Sequence, residues 1–200
     1  MIDTLERLGM DTPAEDLRAL EELARYAYMG KSAYSTDRGE FVAVEVGSYA
    51  GLTSRAIADA VPGKLYCVDT WAGSLGVDYV NDLYGEHGGD GVFRTFCKNM
   101  GRRLFTTVFP LRGESALWAG VFPRKVDFLF LDAGHEYEDV LADLRAWSRV
   151  VRPGGLVACH DFVSEMHPGV ARAVLEFAPR DRLRLIGATV ACWETEGGDG

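Results

Sequence analysis

The stretch Phe41-Val-Ala-Val-Glu-Val-Gly-Ser-Tyr-Ala-Gly51 decides the fold of this 200-residue chain. Residues 41–46 form a nearly unbroken apolar run, which is typical of a strand buried on both faces of a parallel sheet. Gly47 and Gly51 follow, and a helical pattern then covers residues 52–60. A glycine-bearing turn of this kind lets backbone N–H groups approach a ligand closely, and it points a helix N-terminus toward that ligand. The stretch therefore predicts a ligand-binding βα turn.

Glu45 is the unusual residue of this strand, because it places a carboxylate in a segment that is otherwise apolar. Burying a charge is costly unless it has a partner, so a bound cationic group or several hydrogen-bond donors would explain Glu45. The alternative is a plain βα turn with Glu45 exposed at the edge of the sheet. The spacing Glu-x-Gly-x-x-x-Gly also differs from the Gly-x-Gly-x-x-Gly of dinucleotide sites, which argues against a nicotinamide-dependent enzyme.

Composition and charge exclude several classes of protein. The chain is 48% apolar and 26% charged, which is ordinary for a globular protein, and its length suits one domain. The formal net charge of −9 argues against nucleic-acid binding, which needs clustered lysine and arginine. No apolar run reaches the roughly 18 residues of a membrane span and no signal peptide is visible, so we expect a cytoplasmic protein without membrane contact. The four cysteines are widely spaced and three lie in apolar strand-like runs, which predicts buried free thiols in a reducing compartment rather than disulfides or a zinc site: Cys67, Cys97, Cys159 and Cys192.

Beyond residue 41 the sequence alternates strand and helix patterns, as in βαβ units that build a parallel sheet. The predicted strands are 41–46, 64–68, 105–111, 126–131 and 156–159, followed by a terminal hairpin of 183–186 and 190–194. The predicted helices are 14–28, 52–60, 91–100, 138–150 and 167–177, and a tight turn is predicted at 152–155. We therefore expect an N-terminal helical cap at 1–40, one α/β domain at 41–195 and a disordered tail at 196–200.

Polar residues follow several of the predicted strands, and parallel strands present their carboxyl ends at one edge of a sheet. Asp69 ends the second strand, where a carboxylate can accept both hydroxyls of a ribose; the alternative is a turn former or helix cap. The long glycine-rich segment from residue 73 to about residue 90 predicts a lid over a bound ligand. These features predict a ligand site at the carboxyl edge of the sheet.

Asp132 and His135 follow the strand at 126–131, and His160-Asp161 follows the strand at 156–159. Two carboxylates and a histidine at adjacent strand ends can hold a hard divalent cation, which lowers the pKa of a bound hydroxyl. His135 would then lie beside the cation, placed to take a proton. The alternatives are capping roles for Asp132 and Asp161. For His160 they are a supporting position behind the metal ligands or a place in the core.

Six motifs carry a family resemblance when they are taken together and in order. They are Glu45-Val-Gly-Ser-Tyr-Ala-Gly51, Val68-Asp69-Thr-Trp71, Gly113-Glu-Ser115, Asp132-Ala-Gly-His135-Glu-Tyr137, Arg152-Pro-Gly-Gly155 and His160-Asp-Phe162. The set spans residues 41–194 and resembles the class I S-adenosylmethionine-dependent methyltransferases, more narrowly the small bacterial O-methyltransferases related to the macrolide-sugar and aminocoumarin-sugar enzymes. The resemblance implies a Rossmann-like three-layer αβα sandwich. Its seven-stranded, mostly parallel sheet would have the order 3-2-1-4-5-7-6, with the last strand antiparallel.

The resemblance also implies how the chain binds S-adenosylmethionine. Glu45 and Gly47 would surround the methionine moiety, and Asp69 would bind the ribose. The residues implied near the adenine are Gly113, Glu114 and Ser115. The matched motifs imply further cofactor-binding residues at Ser48, Tyr49, Gly51, Thr70, Trp71 and Asp132.

In the metal-dependent members of this group, the positions that match Asp132, His160 and Asp161 bind magnesium. A base three residues after the first ligand activates the acceptor hydroxyl, and His135 holds that place. Those members often carry two acidic or amide groups where this chain has His160-Asp161. The resemblance thus implies Mg²⁺ or another divalent cation, with Asp132 and His135 as the catalytic residues.

The expected function is methyl transfer to a hydroxyl of a small-molecule acceptor, which would be a sugar, a phenol, a catechol or another natural product. Two other classes stay open, a nicotinamide-dependent oxidoreductase on a similar sheet and a non-catalytic S-adenosylmethionine-binding module. The sequence selects neither the acceptor nor the oligomeric state, although related enzymes often form homo-oligomers.

Overall fold

Seven strands form one sheet in the computed structural model, which describes residues 12–34, 39–72 and 90–196, except for the side chains of 32–34. The strands are β1 (Val42–Val46), β2 (Lys64–Asp69), β3 (Val108–Arg112), β4 (Val126–Leu131), β5 (Val151–Cys159), β6 (Arg184–Ile186) and β7 (Val190–Glu194). The helices are α1 (Ala14–Tyr34), α2 (Leu52–Ala60), α3 (Gly91–Met100), α4 (Ser115–Val121), α5 (Tyr137–Trp147) and α6 (Pro168–Phe177).

The strands lie in the order β3-β2-β1-β4-β5-β7-β6. The first five are parallel, and β7 lies antiparallel to both β5 and β6. The predicted order and the antiparallel last strand are therefore confirmed. Val46 of β1 lies opposite Val68 of β2 and Leu131 of β4, so the turns that follow these three strands lie side by side.

The two faces of the sheet carry separate cores, because successive side chains of a strand point to opposite faces. On β4, Phe128 and Phe130 pack in one core with residues of α1, α2 and α3. Leu129 and Leu131 pack in the other core with residues of α5 and α6. All six residues of β4 are buried, as the apolar pattern predicts for a central strand. Helices on both faces give the predicted three-layer αβα arrangement.

Helix α1 extends to Tyr34, six residues beyond the predicted end at residue 28. Its last turns are held by Lys31, which donates to Asp127 at 3.0 Å and to the carbonyl oxygen of Glu40 at 3.0 Å. Lys31 and Asp127 are 8% and 1% exposed, so this is a buried ion pair. The apolar spacing of the helix carries no information about such a tertiary contact, and this is why the sequence predicted too short a helix.

Other elements differ from the sequence predictions at their ends. The predicted turn at 152–155 lies within β5, at a register shift against β4, with Gly154 at φ 68°. β3 begins at Val108, because Phe105 has a φ of 57° and lies in a turn. α5 ends at Trp147, and the short helix α4 was not predicted.

Some expectations concern residues outside the described part of the chain. These are most of the predicted lid (73–89), the start of the N-terminal cap (1–11) and the end of the tail (197–200). The four cysteines are free, and Cys67, Cys159 and Cys192 are buried, as predicted. Among the described helices, none is both long and apolar enough to cross a membrane.

Candidate active site

The strand order changes direction between β1 and β4, and open α/β sheets bind ligands outside the carboxyl ends of the strands at such a point. The turns after these strands touch here, since a Cβ on Gly47 would overlap the carbonyl oxygen of Asp132. Gly47 also has a φ of 91°, which favours glycine. Its N–H donates to the carbonyl oxygen of Val68 at 2.9 Å. Gly47 is therefore required by the contact between two turns, and its own N–H is already bonded.

Glu45 is fully buried, so the alternative of an edge-exposed carboxylate is wrong. Its Oε1 accepts a hydrogen bond from Thr53 Oγ1 at 2.6 Å, and its Oε2 accepts one from Ser54 Oγ. Burial raises the pKa of Glu45 to about 6, against the lowering effect of the hydroxyl groups. The predicted set of donors thus comes from the first turn of α2. Contact between Glu45 and a methionine moiety stays a prediction.

Asp69 joins two turns at the edge of the site. Its carboxylate accepts the N–H of Tyr49 at 2.8 Å and the N–H of Trp71 at 2.7 Å, as a turn former does. Burial raises the pKa of Asp69, and these backbone donors oppose the rise. Trp71 is fully buried, and its Nε1 donates to the carbonyl oxygen of Tyr49 at 2.7 Å. Trp71 therefore holds the turns after β1 and β2 together, and direct contact with a ligand stays a prediction.

The other predicted cofactor residues lie on neighbouring turns. Gly51 has a φ of 85°, and a Cβ there would lie 2.7 Å from Met100 Cε, so packing against α3 explains this glycine. The N–H of Gly113 donates to the carbonyl oxygen of Asp69 at 2.9 Å, which holds the turns after β2 and β3 together. Ser115 accepts a hydrogen bond from Trp147 at 2.8 Å and so faces α5.

Three further predicted residues differ in their exposure. Glu114 is exposed, Ser48 is buried beside Glu45, and Thr70 is half-buried. The Thr70 hydroxyl accepts the N–H of Ala72 at 3.3 Å. The predicted residues thus surround the carboxyl edge of the sheet, but several of their side chains hold the turns together.

The strongest convergence of polar side chains is a set that we call the acid–histidine cluster: Asp132, His135, His160 and Asp161. His160 Nδ1 lies 3.4 Å from Asp132 Oδ1 and 3.4 Å from Asp161 Oδ2. His135 Nε2 lies 3.0 Å from Asp161 Oδ2 and 4.0 Å from Asp132 Oδ1. The ends of β4 and β5 therefore bring the four predicted catalytic and metal-binding residues together.

Charges within the acid–histidine cluster shift three pKa values. Burial would lower the pKa of His160, but the carboxylates of Asp132 and Asp161 outweigh it and raise the pKa to about 11. Burial would also lower the pKa of His135, yet the hydrogen bond to Asp161 and the charge of Asp132 raise it. Burial would raise the pKa of Asp161, whereas the two histidines lower it. Without a cation, the carboxylates of Asp132 and Asp161 are paired with the imidazolium of His160 at neutral pH.

Among the residues that the structure describes, two sets of side chains could hold a metal ion. Within each set the ligand atoms lie within 4.8 Å of one another; the sets are Asp132, His160 and Asp161, and His135, Asp161 and His167. The first set offers two carboxylate oxygens and one imidazole nitrogen. Oxygen ligands suit Mg²⁺, and imidazole extends the choice to cations such as Mn²⁺ or Zn²⁺. The first set therefore fits the divalent cation that the resemblance implies.

Sequence reasoning missed Asp16 and His167. Asp16, in the first turn of α1, places Oδ2 3.2 Å from His160 Nε2. The His167 ring stacks on the His135 ring with centroids 4.0 Å apart. An acidic residue in a first helical turn and a histidine before a proline are common, so the sequence held no specific signal for either residue.

A family model described as a methyltransferase domain matches residues 44–162, which is more than half of the chain. The match begins in β1 and includes every residue of the acid–histidine cluster. The chain therefore belongs to the methyltransferase-domain family. The predicted class, a class I S-adenosylmethionine-dependent methyltransferase, is confirmed.

Several solved structures share this fold. The O-methyltransferase NovP has a TM-score of 0.65 at 18% identity, over 91% of this chain and 80% of that chain. CalS11, a TDP-rhamnose 3′-O-methyltransferase of calicheamicin biosynthesis, has a TM-score of 0.60 at 17% identity, over 96% of this chain and 84% of the CalS11 chain. The O-methyltransferase TomG from Streptomyces achromogenes, solved in complex with S-adenosylmethionine, has a TM-score of 0.55 at 14% identity, over 93% of this chain and 82% of the TomG chain. At these identities the likeness establishes the fold alone.

Proposed function

We propose that the protein transfers a methyl group from S-adenosylmethionine to a hydroxyl of a small molecule, such as a sugar or a phenolic natural product, with the help of a divalent cation. The observation that carries this proposal is the acid–histidine cluster, which lies beside the point where the strand order reverses. Two proteins of similar fold support the choice, since NovP is an O-methyltransferase and CalS11 is a TDP-rhamnose 3′-O-methyltransferase.

The reaction is an in-line displacement. The acceptor oxygen forms a bond to the methyl carbon, the bond from that carbon to sulfur breaks, and the hydroxyl proton leaves. S-adenosylmethionine would supply the methyl group, and a cation held by Asp132, His160 and Asp161 would lower the pKa of the acceptor hydroxyl. The protein contributes mainly proximity and alignment.

His135 is the residue placed to take the proton. Its side chain is 32% exposed, so an acceptor can reach it, and Asp161 at 3.0 Å orients the ring and stabilises the imidazolium that forms. A base must begin neutral, and the charges of Asp132 and Asp161 favour the protonated form of His135. A cation bound to Asp132 and Asp161 would neutralise their charges, and these charges would then no longer favour the protonated form of His135. Cation binding would in this way prepare His135 to accept a proton.

The described residues fit S-adenosylmethionine unequally. Asp69 is half-buried at the carboxyl edge, at the end of β2, so its carboxylate suits the ribose hydroxyls. Glu45 is fully buried with both oxygens bonded, so it suits a supporting role under the turn after β1 better than direct contact.

The test combines calorimetry with turnover. S-adenosylhomocysteine is titrated with Mg²⁺ and again with EDTA, and methyl transfer is assayed on TDP-rhamnose and catechol. His135→Asn should lower turnover by about 10² to 10⁴-fold, as expected for loss of a general base, with unchanged affinity for S-adenosylhomocysteine. Asp132→Asn should also collapse turnover without weakening that affinity. Asp181→Asn, at a side chain 81% exposed, is the matched control.

Each outcome has a clear meaning. No binding of S-adenosylhomocysteine would remove the proposal. An equal loss of S-adenosylhomocysteine affinity and turnover in Asp132→Asn would make Asp132 a cofactor or folding residue. Binding without transfer to either acceptor would favour a non-catalytic module. Neither that module nor a nicotinamide-dependent oxidoreductase gains support from the observations above.

A further inference from the structure

Asp16 is a fully buried carboxylate that lies far from the acid–histidine cluster in sequence and next to it in space. Its Oδ1 accepts the N–H of Ala188 at 2.6 Å and the N–H of Thr189 at 3.1 Å. Its Oδ2 accepts the Thr189 hydroxyl at 2.9 Å and lies 3.2 Å from His160 Nε2. One carboxylate thus connects α1, the turn between β6 and β7, and the histidine of the candidate cation site.

The His160 ring lies between two sets of carboxylates. Nε2 faces Asp16, and Nδ1 faces Asp132 and Asp161 at 3.4 Å each. A histidine that binds a metal through one nitrogen usually donates the N–H of the other nitrogen to a carboxylate or carbonyl, which fixes the tautomer and the ring. With its proton on Nε2, His160 would direct the Nδ1 lone pair toward Asp132 and Asp161.

His135 has a different environment. Its side chain is 32% exposed, whereas the His160 side chain is 9% exposed and has a buried carboxylate behind it. Both rings contribute to candidate metal-binding sets, so geometry within those sets does not decide which histidine binds the ion. The buried carboxylate behind His160 suits this histidine to the role of cation ligand. The exposure of His135 suits that histidine to the role of base.

We propose that Asp16 is a positioning residue that holds His160 as a cation ligand together with Asp132 and Asp161, and so leaves His135 free for proton transfer. This inference rests on the proposed function, because it assigns the cation to the same site. It makes α1 part of the active site, although α1 precedes the predicted α/β domain.

The competing explanation is that Asp16 only fastens α1 to the turn between β6 and β7. Asp16→Asn separates the two explanations. The amide has the same size, and its oxygen can still accept the N–H groups of Ala188 and Thr189, but its NH₂ group cannot accept from His160. Thr189→Val is the matched control, because it removes one hydrogen bond to Asp16 and leaves the contact with His160.

The measurement is the affinity of the full chain for Mn²⁺, by isothermal titration in the presence of S-adenosylhomocysteine. Asp16→Asn should weaken Mn²⁺ binding by about 10- to 100-fold, the usual effect of losing the group behind a histidine ligand. Thr189→Val should bind Mn²⁺ nearly as the wild type does. Thermal melting of both variants in EDTA reports the purely structural part of each change.

A second measurement needs no variant. Long-range ¹H–¹⁵N spectra of the wild type with Mg²⁺ should show His160 protonated at Nε2, and protonation at Nδ1 would overturn the inference. Unchanged Mn²⁺ affinity in Asp16→Asn would also overturn the inference. So would a result in which Asp16→Asn and Thr189→Val lose the same amount of Mn²⁺ affinity and the same number of degrees in melting temperature. A wild type that binds S-adenosylhomocysteine but no Mn²⁺ would instead refute the cation assistance in the proposed function, and this inference with it.

Discussion

Replacing Glu45 by glutamine should stabilise the protein at neutral and alkaline pH relative to the wild type, and the gain should shrink in acid. Glu45 is fully buried, and burial raises its pKa from 4.5 to about 6. One pKa unit corresponds to about 1.4 kcal/mol, so the ionised carboxylate costs about 2 kcal/mol in the folded protein. Glutamine has the same size and no charge. Its oxygen can accept from one of the hydroxyls of Thr53 and Ser54, and its NH₂ group can donate to the oxygen of the other.

The direction of the pH dependence follows from the raised pKa. Below pH 4.5 the carboxyl group of Glu45 is protonated in both the folded and the unfolded chain, so it favours neither. As the pH rises, the unfolded chain ionises first, and the wild type loses stability until the folded group ionises near pH 6. The difference between Glu45→Gln and the wild type should therefore grow by about 2 kcal/mol from about pH 4 to about pH 8.

Urea unfolding of both proteins across this pH range measures the difference directly. Other titrating groups cancel, since they are common to the two chains. Glu21→Gln serves as the control, because it makes the same substitution at a side chain that is 38% exposed and so lacks the burial on which the argument depends. A flat difference for Glu45→Gln, or one that falls as the pH rises, would refute the reasoning from burial.

Two further predictions concern stability. Asp127→Ala should lose about 3 to 5 kcal/mol, because it leaves the buried Lys31 and the partly buried Arg152 without their carboxylate; a loss below about 1 kcal/mol in urea unfolding would contradict the buried-pair argument. Gly47→Ala should lose on the order of 3 kcal/mol, because its φ of 91° disfavours a side chain and the new Cβ would overlap the Asp132 carbonyl oxygen. An unchanged thermal midpoint for Gly47→Ala would show that the two turns can separate.

Most of the fold could be predicted from the sequence, because the apolar periodicity of its strands and helices is strong. β4 and α2 have the predicted ends, and the strand order follows the expectation. The acid–histidine cluster could also be predicted, since residues that follow adjacent parallel strands meet at one edge of the sheet. Glu45 shows the limit of this reasoning. Its need for donors could be read from the sequence, whereas their source in Thr53 and Ser54 could not.

The missed contacts share one physical cause. Asp16 and His160 are 144 positions apart, and Lys31 and Asp127 are 96 positions apart. Local periodicity reports which face of a helix is apolar, but it does not report which distant polar group a buried charge will meet. Such pairs depend on how α1 packs across the sheet, and no local pattern encodes that.

The two buried contacts of α1 lie at opposite edges of the sheet. Asp16 reaches the carboxyl edge at His160, and Lys31 reaches the amino edge at Asp127, which also accepts the N–H of Val42 at 2.8 Å. At 1.5 Å per residue, these two points are about 22 Å apart along the helix. The helix therefore fixes both the distance and the angle between these two contacts. A one-residue insertion between Asp16 and Lys31 would rotate one of these side chains by about 100° around the helix axis relative to the other. Grafts that exchange the N-terminal region would have to keep the spacing of both residues, even where the apolar face is preserved.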